Sequence, residues 1–363
     1  MGKDKLLYVM HVPWGWIKQR PHFVAEELSK YYDVTVLTEM IYKDSENHVC
    51  NNTNLNIKSL FRLPFKRYII IKYINELLFK IQLFFLKKKD YKFIWIMSPS
   101  QYDFTSNVKD KIVIYDCMDD MLEFANDEHK NGIMKQEQVI FNNANIFFCS
   151  SKYLKETLIK RYGKKDITVV NNAIRKIGGE PLPELDSTNI LNNIKNKYIL
   201  TYIGTISEWI DFELLKKITD TIPNIVVCLF GPKGVDFQES DNIIYGGVVE
   251  HSQVFPIMNK SDFLIMPFIC SKLILSVNPV KLYEYIYSAK PSLAPRYGET
   301  EQFEEYVHLY DSHNGCIRII KSIMNKEIKN KSLEECIKYA NTNTWEDRVQ
   351  AMQRVIYSYN GMK

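Results

Sequence analysis

The sequence predicts an α/β protein of two doubly wound, parallel-sheet domains facing one another. Three observations carry that expectation. Short runs of four to seven residues, apolar on both faces, alternate with helical patterns from end to end, which suits parallel strands covered by helices. The series breaks once, where Gly178, Gly179, Pro181 and Pro183 cluster, and then restarts. The 363 residues also suffice for two domains of ordinary size.

Taken in order, the first series places strands at 6–12, 33–38, 93–97, 112–116, 146–149 and 167–170. The opening MGKDKLLYVMHV holds too short an apolar run for a signal peptide and reads as the first buried strand. The pattern loosens over 175–192, and the second series places strands at 198–203, 225–230, 243–245, 263–266 and 291–294. The expected domains are 1–175 and 196–344, joined by a linker at 176–195, with a terminal amphipathic helix in 345–363. In such sheets ligands sit beyond the carboxyl ends of the strands, so the site is expected in the cleft between domains.

Composition narrows the partners. Hydrophobic residues are 46% and charged residues 25%, a globular balance, and a net charge of +4 is too small to argue for nucleic acid. Seven cysteines, odd in number and without a C-x-x-C pair, argue against a disulfide framework or zinc site and for a reducing cytoplasm. Residues 61–92 stand apart, with nine Lys or Arg against Glu76 and Asp90. Within them Ile70, Ile74, Leu77, Ile81 and Phe84 fall on one helical stripe, interrupted by too much charge to cross a membrane. Such a helix either lies on the anionic inner face of the membrane, or packs its apolar side on the sheet together with Phe79 and Phe85.

The richest motif is Asn278-Pro279-Val280-Lys281-Leu282-Tyr283-Glu284-Tyr285, shortly after the apolar run 263–268. A loop feeding a helix N-terminus offers free N–H groups and a positive dipole end to a phosphate. Pro279 fits the first helical turn, Lys281 adds a cation, and Glu284 can accept from paired sugar hydroxyls. Phosphate plus ribose within one turn predicts a nucleotide site. Gly204, followed by Thr205, lets a strand end turn sharply and a phosphate approach the backbone; an ordinary tight turn is the alternative. Asp211 is read as the cap of a helix carrying Leu214 and Leu215. Lys233 lies in the next strand-end loop and is a candidate for the diphosphate.

In the first series Asp116, Asp119 and Asp120 follow a strand. Three carboxylates there cost repulsion unless partnered or functional. Asp119, then Asp116, are candidates to accept or orient an acceptor hydroxyl proton; helix capping is the alternative. The spacing lacks a D-x-D pair, so neither metal nor other cofactor is expected. The loop after the first strand carries Trp14, Gly15, Trp16, Gln19 and Arg20. Arg20 is a fork donor suited to phosphate. The tryptophans either stack on sugar, dip toward lipid, or plug the domain's edge. His11 and His22 are read as structural.

These segments, with Gly247-Val248 after a strand, Asn343-Thr344-Trp345 near the end and Tyr115-Asp116-Cys117-Met118-Asp119 in the first half, resemble a retaining GT-B glycosyltransferase of the family 4 type. The likeness is greatest to bacterial polysaccharide and teichuronic acid biosynthesis enzymes. It implies two Rossmann-like domains, a final helix packed back on the first, and Gly247 and Val248 bordering the nucleotide base. It implies sugar transfer from a UDP-linked donor to a glycan acceptor; the basic, aromatic stretch 61–92 with Trp14 and Trp16 suggests that this acceptor is polyprenyl-linked, at the inner face of the cytoplasmic membrane. The chain departs from the family at Val277, where many members carry an acid seven residues before Glu284; backbone amides at 278–280 are expected to take over. A sugar-nucleotide epimerase and a non-catalytic nucleotide or glycan binder remain alternatives.

Overall fold

The structure, a computed structural model, describes residues 2–15, 18–41, 55–64, 68–86, 90–106, 108, 110–176 and 183–361. Gly178, Gly179, Pro181, Trp16 and Lys87 to Lys89 lie outside them. The chain divides into two compact units, one formed by Met1–Asn171 with Trp345–Lys363, the other by Asn172–Thr344.

The first unit runs β1 (Lys5–Val9), α1 (Arg20–Leu28), β2 (Asp33–Ile41), β3 (Asn56–Arg62), α2 (Ile69–Phe85), β4 (Phe93–Ile96), β5 (Ile112–Cys117), α3 (Asp127–Asn143), β6 (Ile146–Cys149), α4 (Lys152–Tyr162) and β7 (Thr168–Val169). The second runs β8 (Tyr198–Ile203), α5 (Phe212–Thr221), β9 (Ile225–Phe230), β10 (Ile243–Gly247), α6 (His251–Lys260), β11 (Phe263–Ile265), α7 (Lys272–Ser276), α8 (Val280–Tyr287), β12 (Ser292–Pro295), β13 (His308–Tyr310), α9 (His313–Met324) and α10 (Leu333–Asn341). The last helix, α11 (Trp345–Gly361), belongs to the first unit. There Trp345 stacks on Phe23 of α1 at 5.4 Å, and Gln353 accepts from the Tyr32 hydroxyl at 2.9 Å.

Both sheets are parallel throughout: seven strands ordered β3-β2-β1-β4-β5-β6-β7, and six ordered β10-β9-β8-β11-β12-β13. The central strands are buried on both faces: Ile94, Trp95 and Ile96 of β4, and Val227 to Phe230 of β9, are fully covered. That is why continuous apolar runs mark them. Two strands go beyond the sequence expectation. β3 is an edge strand reading NIKSLFR, whose alternating polar residues hide it. β13 is only three residues long.

Helix α2 forms where the stripe predicts, and of the two expected facings the described part of the stripe takes the outward one. Ile74, Leu77 and Ile81 point to solvent, 42, 60 and 44% exposed. The inward face instead carries Asn75 and Gln82. Asn75 accepts from Leu63 N–H at 2.8 Å and donates to its carbonyl at 3.1 Å; Gln82 makes the same pair with Phe61 at 2.8 and 3.0 Å. Phe79 does pack inward, edge-on to Phe104. The side chains of Ile70, Phe84 and Phe85 lie outside the described residues.

Candidate active site

At the carboxyl end of the first sheet the three aspartates of the β5 lip have different fates. Asp116, fully buried, takes a bidentate pair from Arg20, with Nη2 at 2.8 Å and Nε at 3.2 Å. Arg20 sits at the start of α1, and its Nη1 donates to the Val170 carbonyl at 2.7 Å. One guanidinium therefore ties α1 to the ends of β5 and β7. Desolvation works against its charge, but Asp116 outweighs this and holds its pKa above the usual value. This corrects the expectation for both residues: buried and bonded to each other, they position the lip rather than reach a substrate.

Asp120 is likewise engaged. Arg161 of α4 grips it at 2.7 and 3.1 Å, and it accepts from Leu122 N–H at 3.2 Å. Arg161 also reaches Glu137, a buried carboxylate that accepts from the Tyr115 and Tyr162 hydroxyls at 2.6 and 2.7 Å. Neither Arg161 nor Glu137 stood out in the sequence.

Asp119 is the exception. Its carboxylate accepts no hydrogen bond among the described residues, and burial pushes it up to about 6 against the pull of Arg20. A titratable group raised by desolvation at a strand's carboxyl lip is a functional-site signature. His11, beyond the end of β1, has Nδ1 buried without a partner among the described residues, and burial lowers its imidazole to about 4.

The β1 loop is more structural than expected. Trp14 is 6% exposed, lies 5.2 Å from the His22 ring and donates its N–H to Thr38. It plugs the domain's edge. His22 Nδ1 accepts from Gln19 N–H at 3.2 Å, so its Nε2 donates to the Trp14 carbonyl at 3.0 Å. Gln19 is thereby the cap residue of α1, with its side chain exposed, as is Gly15. Trp16 lies outside the described residues.

In the second unit, glycines let three strand ends crowd together. Gly204 N–H donates to the Phe230 carbonyl and Gly231 N–H to the Gly247 carbonyl, at 2.9 and 2.8 Å. Gly231 has φ +132°, and a Cβ there would strike the Gly204 carbonyl. β10 slips register between Tyr245 and Gly247, leaving Gly247 at φ +81°, a bulge only glycine adopts freely. Thr205 and Val248 stand exposed at this lip, Val248 at 67%. Lys233 is held: its Nζ lies 4.8 Å from the Phe237 ring centre, 5.7 Å from Tyr245 and 3.6 Å from Asp236. Asp211 caps α5 as expected, accepting from Leu214 N–H at 2.8 Å, and also meets His313 Nε2 at 2.8 Å.

The motif at 278–285 forms the turn that leads into α8 and the helix itself. Pro279 is the N-cap of α8 and Val280 its first residue. Lys281 Nζ and Glu284 Oε2 form an ion pair at 2.7 Å, both partly accessible. Leu282 is fully buried in the core, so it anchors the helix and does not face a ligand. Asn278 also turns inward, at 1% exposed. Its Oδ1 and carbonyl accept from Asn172 at 2.9 and 2.7 Å, and its Nδ2 donates to Glu299 at 3.2 Å. With its side-chain amide and its carbonyl engaged, Asn278 shapes the turn. Tyr297 donates its hydroxyl to the Val277 carbonyl at 3.1 Å. Glu299, 3% exposed, was missed in the sequence; the available signal was an acid just beyond the carboxyl end of a predicted strand.

No family model matches the chain. Over 215 residues it is 26% identical to a Bacillus subtilis protein named as a teichuronic acid biosynthesis glycosyltransferase, TuaH, the match spanning 54% of this chain and 54% of that one. The match therefore covers about half the length of this curated relative. Among solved structures, sucrose-phosphate synthase of Thermosynechococcus elongatus superposes over 100% of both chains with a TM-score of 0.75 at 13% identity. The Anabaena protein HepE in complex with UDP gives 0.72 at 12%, over 98% of this chain and 100% of that one. An Escherichia coli trehalose-6-phosphate structure bound with UDP-2-fluoro glucose gives 0.71 at 10%, over 97% and 98%. At these identities the likeness establishes architecture, and the architecture is that of GT-B glycosyltransferases: two parallel-sheet α/β units with helices on their faces.

Proposed function

We propose that this protein is a retaining glycosyltransferase that moves a sugar from a UDP-linked donor to a lipid-linked glycan at the inner face of the cytoplasmic membrane. The observation that carries it is the Lys281–Glu284 pair near the start of α8, in the unit whose β8, β9 and β10 end at Gly204, Gly231 and Gly247. A cation, an N-terminal helix dipole and a hydroxyl-accepting carboxylate within one turn match a diphosphate and its ribose. The named relative and the UDP held by two of the solved neighbours support the same donor class.

In this reading the pair is a preformed socket. Ribose hydroxyls take Glu284, freeing Lys281 to swing onto the diphosphate. As the bond from anomeric carbon to phosphate breaks, negative charge grows on the leaving diphosphate, where Lys281 and the amides of Val280 and Lys281 stabilise it. Asp119 on the first unit holds the acceptor hydroxyl by hydrogen bonding. That oxygen attacks from the departing face, and its proton passes to the leaving phosphate oxygen. Glu299 acts through Asn278, fixing the turn that aims the helix.

Steady-state kinetics with a UDP-sugar test this. Glu284→Ala raises the donor KM roughly ten- to a hundredfold, about 1.4–2.7 kcal/mol of lost binding. Lys281→Ala depresses kcat more than KM, because its contact strengthens as charge develops. Wild-type donor kinetics in both variants sinks the assignment. Product formed from donor without acceptor indicates an epimerase.

A further inference from the structure

Helix α2 turns an apolar ridge outward. On an ordinary surface helix the apolar stripe faces the core and the polar face meets water. Here Asn75 and Gln82 face inward and bond the backbone of Phe61 and Leu63. Tyr73, Ile74, Leu77 and Ile81 face outward, 64, 42, 60 and 44% exposed. Spaced at 74, 77 and 81, the three aliphatic residues form one continuous ridge, with Tyr73 beside it. A large contiguous apolar surface of this kind marks a docking face.

The charge of the surrounding sequence says what docks there. Residues 61–92 carry nine basic against two acidic residues, an excess larger than the net charge of +4 of the whole chain, so the remainder of the protein is net acidic. A second copy of this chain would bring the same basic segment against itself. A buried apolar partner alone would leave the cations unanswered. An anionic bilayer satisfies both demands at once: its acyl boundary takes the ridge and its headgroups take the lysines and arginines. Among the described residues no helix is long and apolar enough to cross a membrane.

We propose that α2 lies in the plane of an anionic lipid bilayer, with Tyr73, Ile74, Leu77 and Ile81 seated at the acyl boundary. The purpose assigned to this contact, reaching a lipid-linked acceptor, rests on the glycosyl-transfer reading; the contact itself does not.

Co-sedimentation of the full chain with vesicles tests it. The protein binds phosphatidylglycerol–phosphatidylcholine vesicles, and at least about tenfold more weakly when the lipid is phosphatidylcholine alone or the salt is raised several-fold. Leu77→Asp with Ile81→Asp lowers binding at least about tenfold without lowering the unfolding temperature, since both side chains are exposed. Lys87→Glu, Lys88→Glu and Lys89→Glu together do the same through charge. Failure of the wild type to bind anionic vesicles, or undiminished binding by the Leu77/Ile81 variant, overturns the proposal. So does a dimer that this variant splits while no vesicle binding is seen, which would make a second copy the occupant. UDP-sugar binding by thermal shift, without vesicles, is measured on the same samples. Its loss sinks the glycosyl-transfer reading and leaves the membrane result standing, and the converse holds.

Discussion

Asp116, Asp119 and Asp120 share one lip, yet each has a different environment. Two are neutralised by arginines and the third is left to titrate, raised by burial to about 6. Protonated Asp119 is a weaker acceptor for an acceptor hydroxyl than the carboxylate, so kcat/KM for transfer should fall as pH drops below about 6. Asp119→Asn should erase that limb and slow transfer roughly ten- to a hundredfold, the loss of one charged hydrogen bond; a pH–rate profile reads both. Stability carries the opposite sign. The folded carboxyl titrates above its unfolded value of 3.8, so its contribution is fully present below about pH 4 and is lost as pH rises through about 6. Asp119→Asn should therefore be the more stable protein at pH 8, by on the order of 1–3 kcal/mol in denaturant melts. The sequence put Asp119 first and Asp116 next, but could not show that Asp116 and Asp120 are each paired with an arginine. Arg20 is 96 residues from Asp116 and Arg161 is 41 residues from Asp120, and only the fold brings such partners together.

At the scale of elements, local signals were readable and facing was not. Asp211 before Leu214 announces a cap, because that bond is made within one turn. Asp211→Ala should cost about 1–2 kcal/mol in thermal unfolding, toward the upper figure because His313 also loses its partner. The 278–285 motif correctly marked a helix start, but not that Asn278 and Leu282 turn inward, since that depends on Asn172, Glu299 and the core. In α2 periodicity located the stripe and left its direction open. A helical period states that two faces differ; it is silent on which one meets the sheet. β3 escaped for a related reason: an edge strand needs apolar residues on one side only, and lysine and serine interrupt it.

For the whole molecule, buried strands gave the strongest message, because burial on both faces leaves no room for polar residues and parallel order follows from the intervening helices. The first unit adds a tie that no local pattern reveals. Arg20 spans α1, β5 and β7 from a position 4% exposed. Removing only its partner strands a charge in the interior, which costs more than deleting a surface pair. Asp116→Ala should destabilise the protein by about 3–5 kcal/mol in chemical denaturation, and donor binding measured at low temperature should survive in the fraction still folded.

The amides of α2 have one more consequence. β3 ends its sheet, and the outer backbone groups of such a strand are a template on which another chain can add itself. Asn75 and Gln82 each offer one donor and one acceptor to that rim, at Leu63 and Phe61, and so impersonate a neighbouring strand that the sheet lacks. Replacing both with leucine would make the helix more conventional and the rim adhesive. Static light scattering of Asn75→Leu/Gln82→Leu on concentration should show progressive self-association where the parent chain stays dispersed.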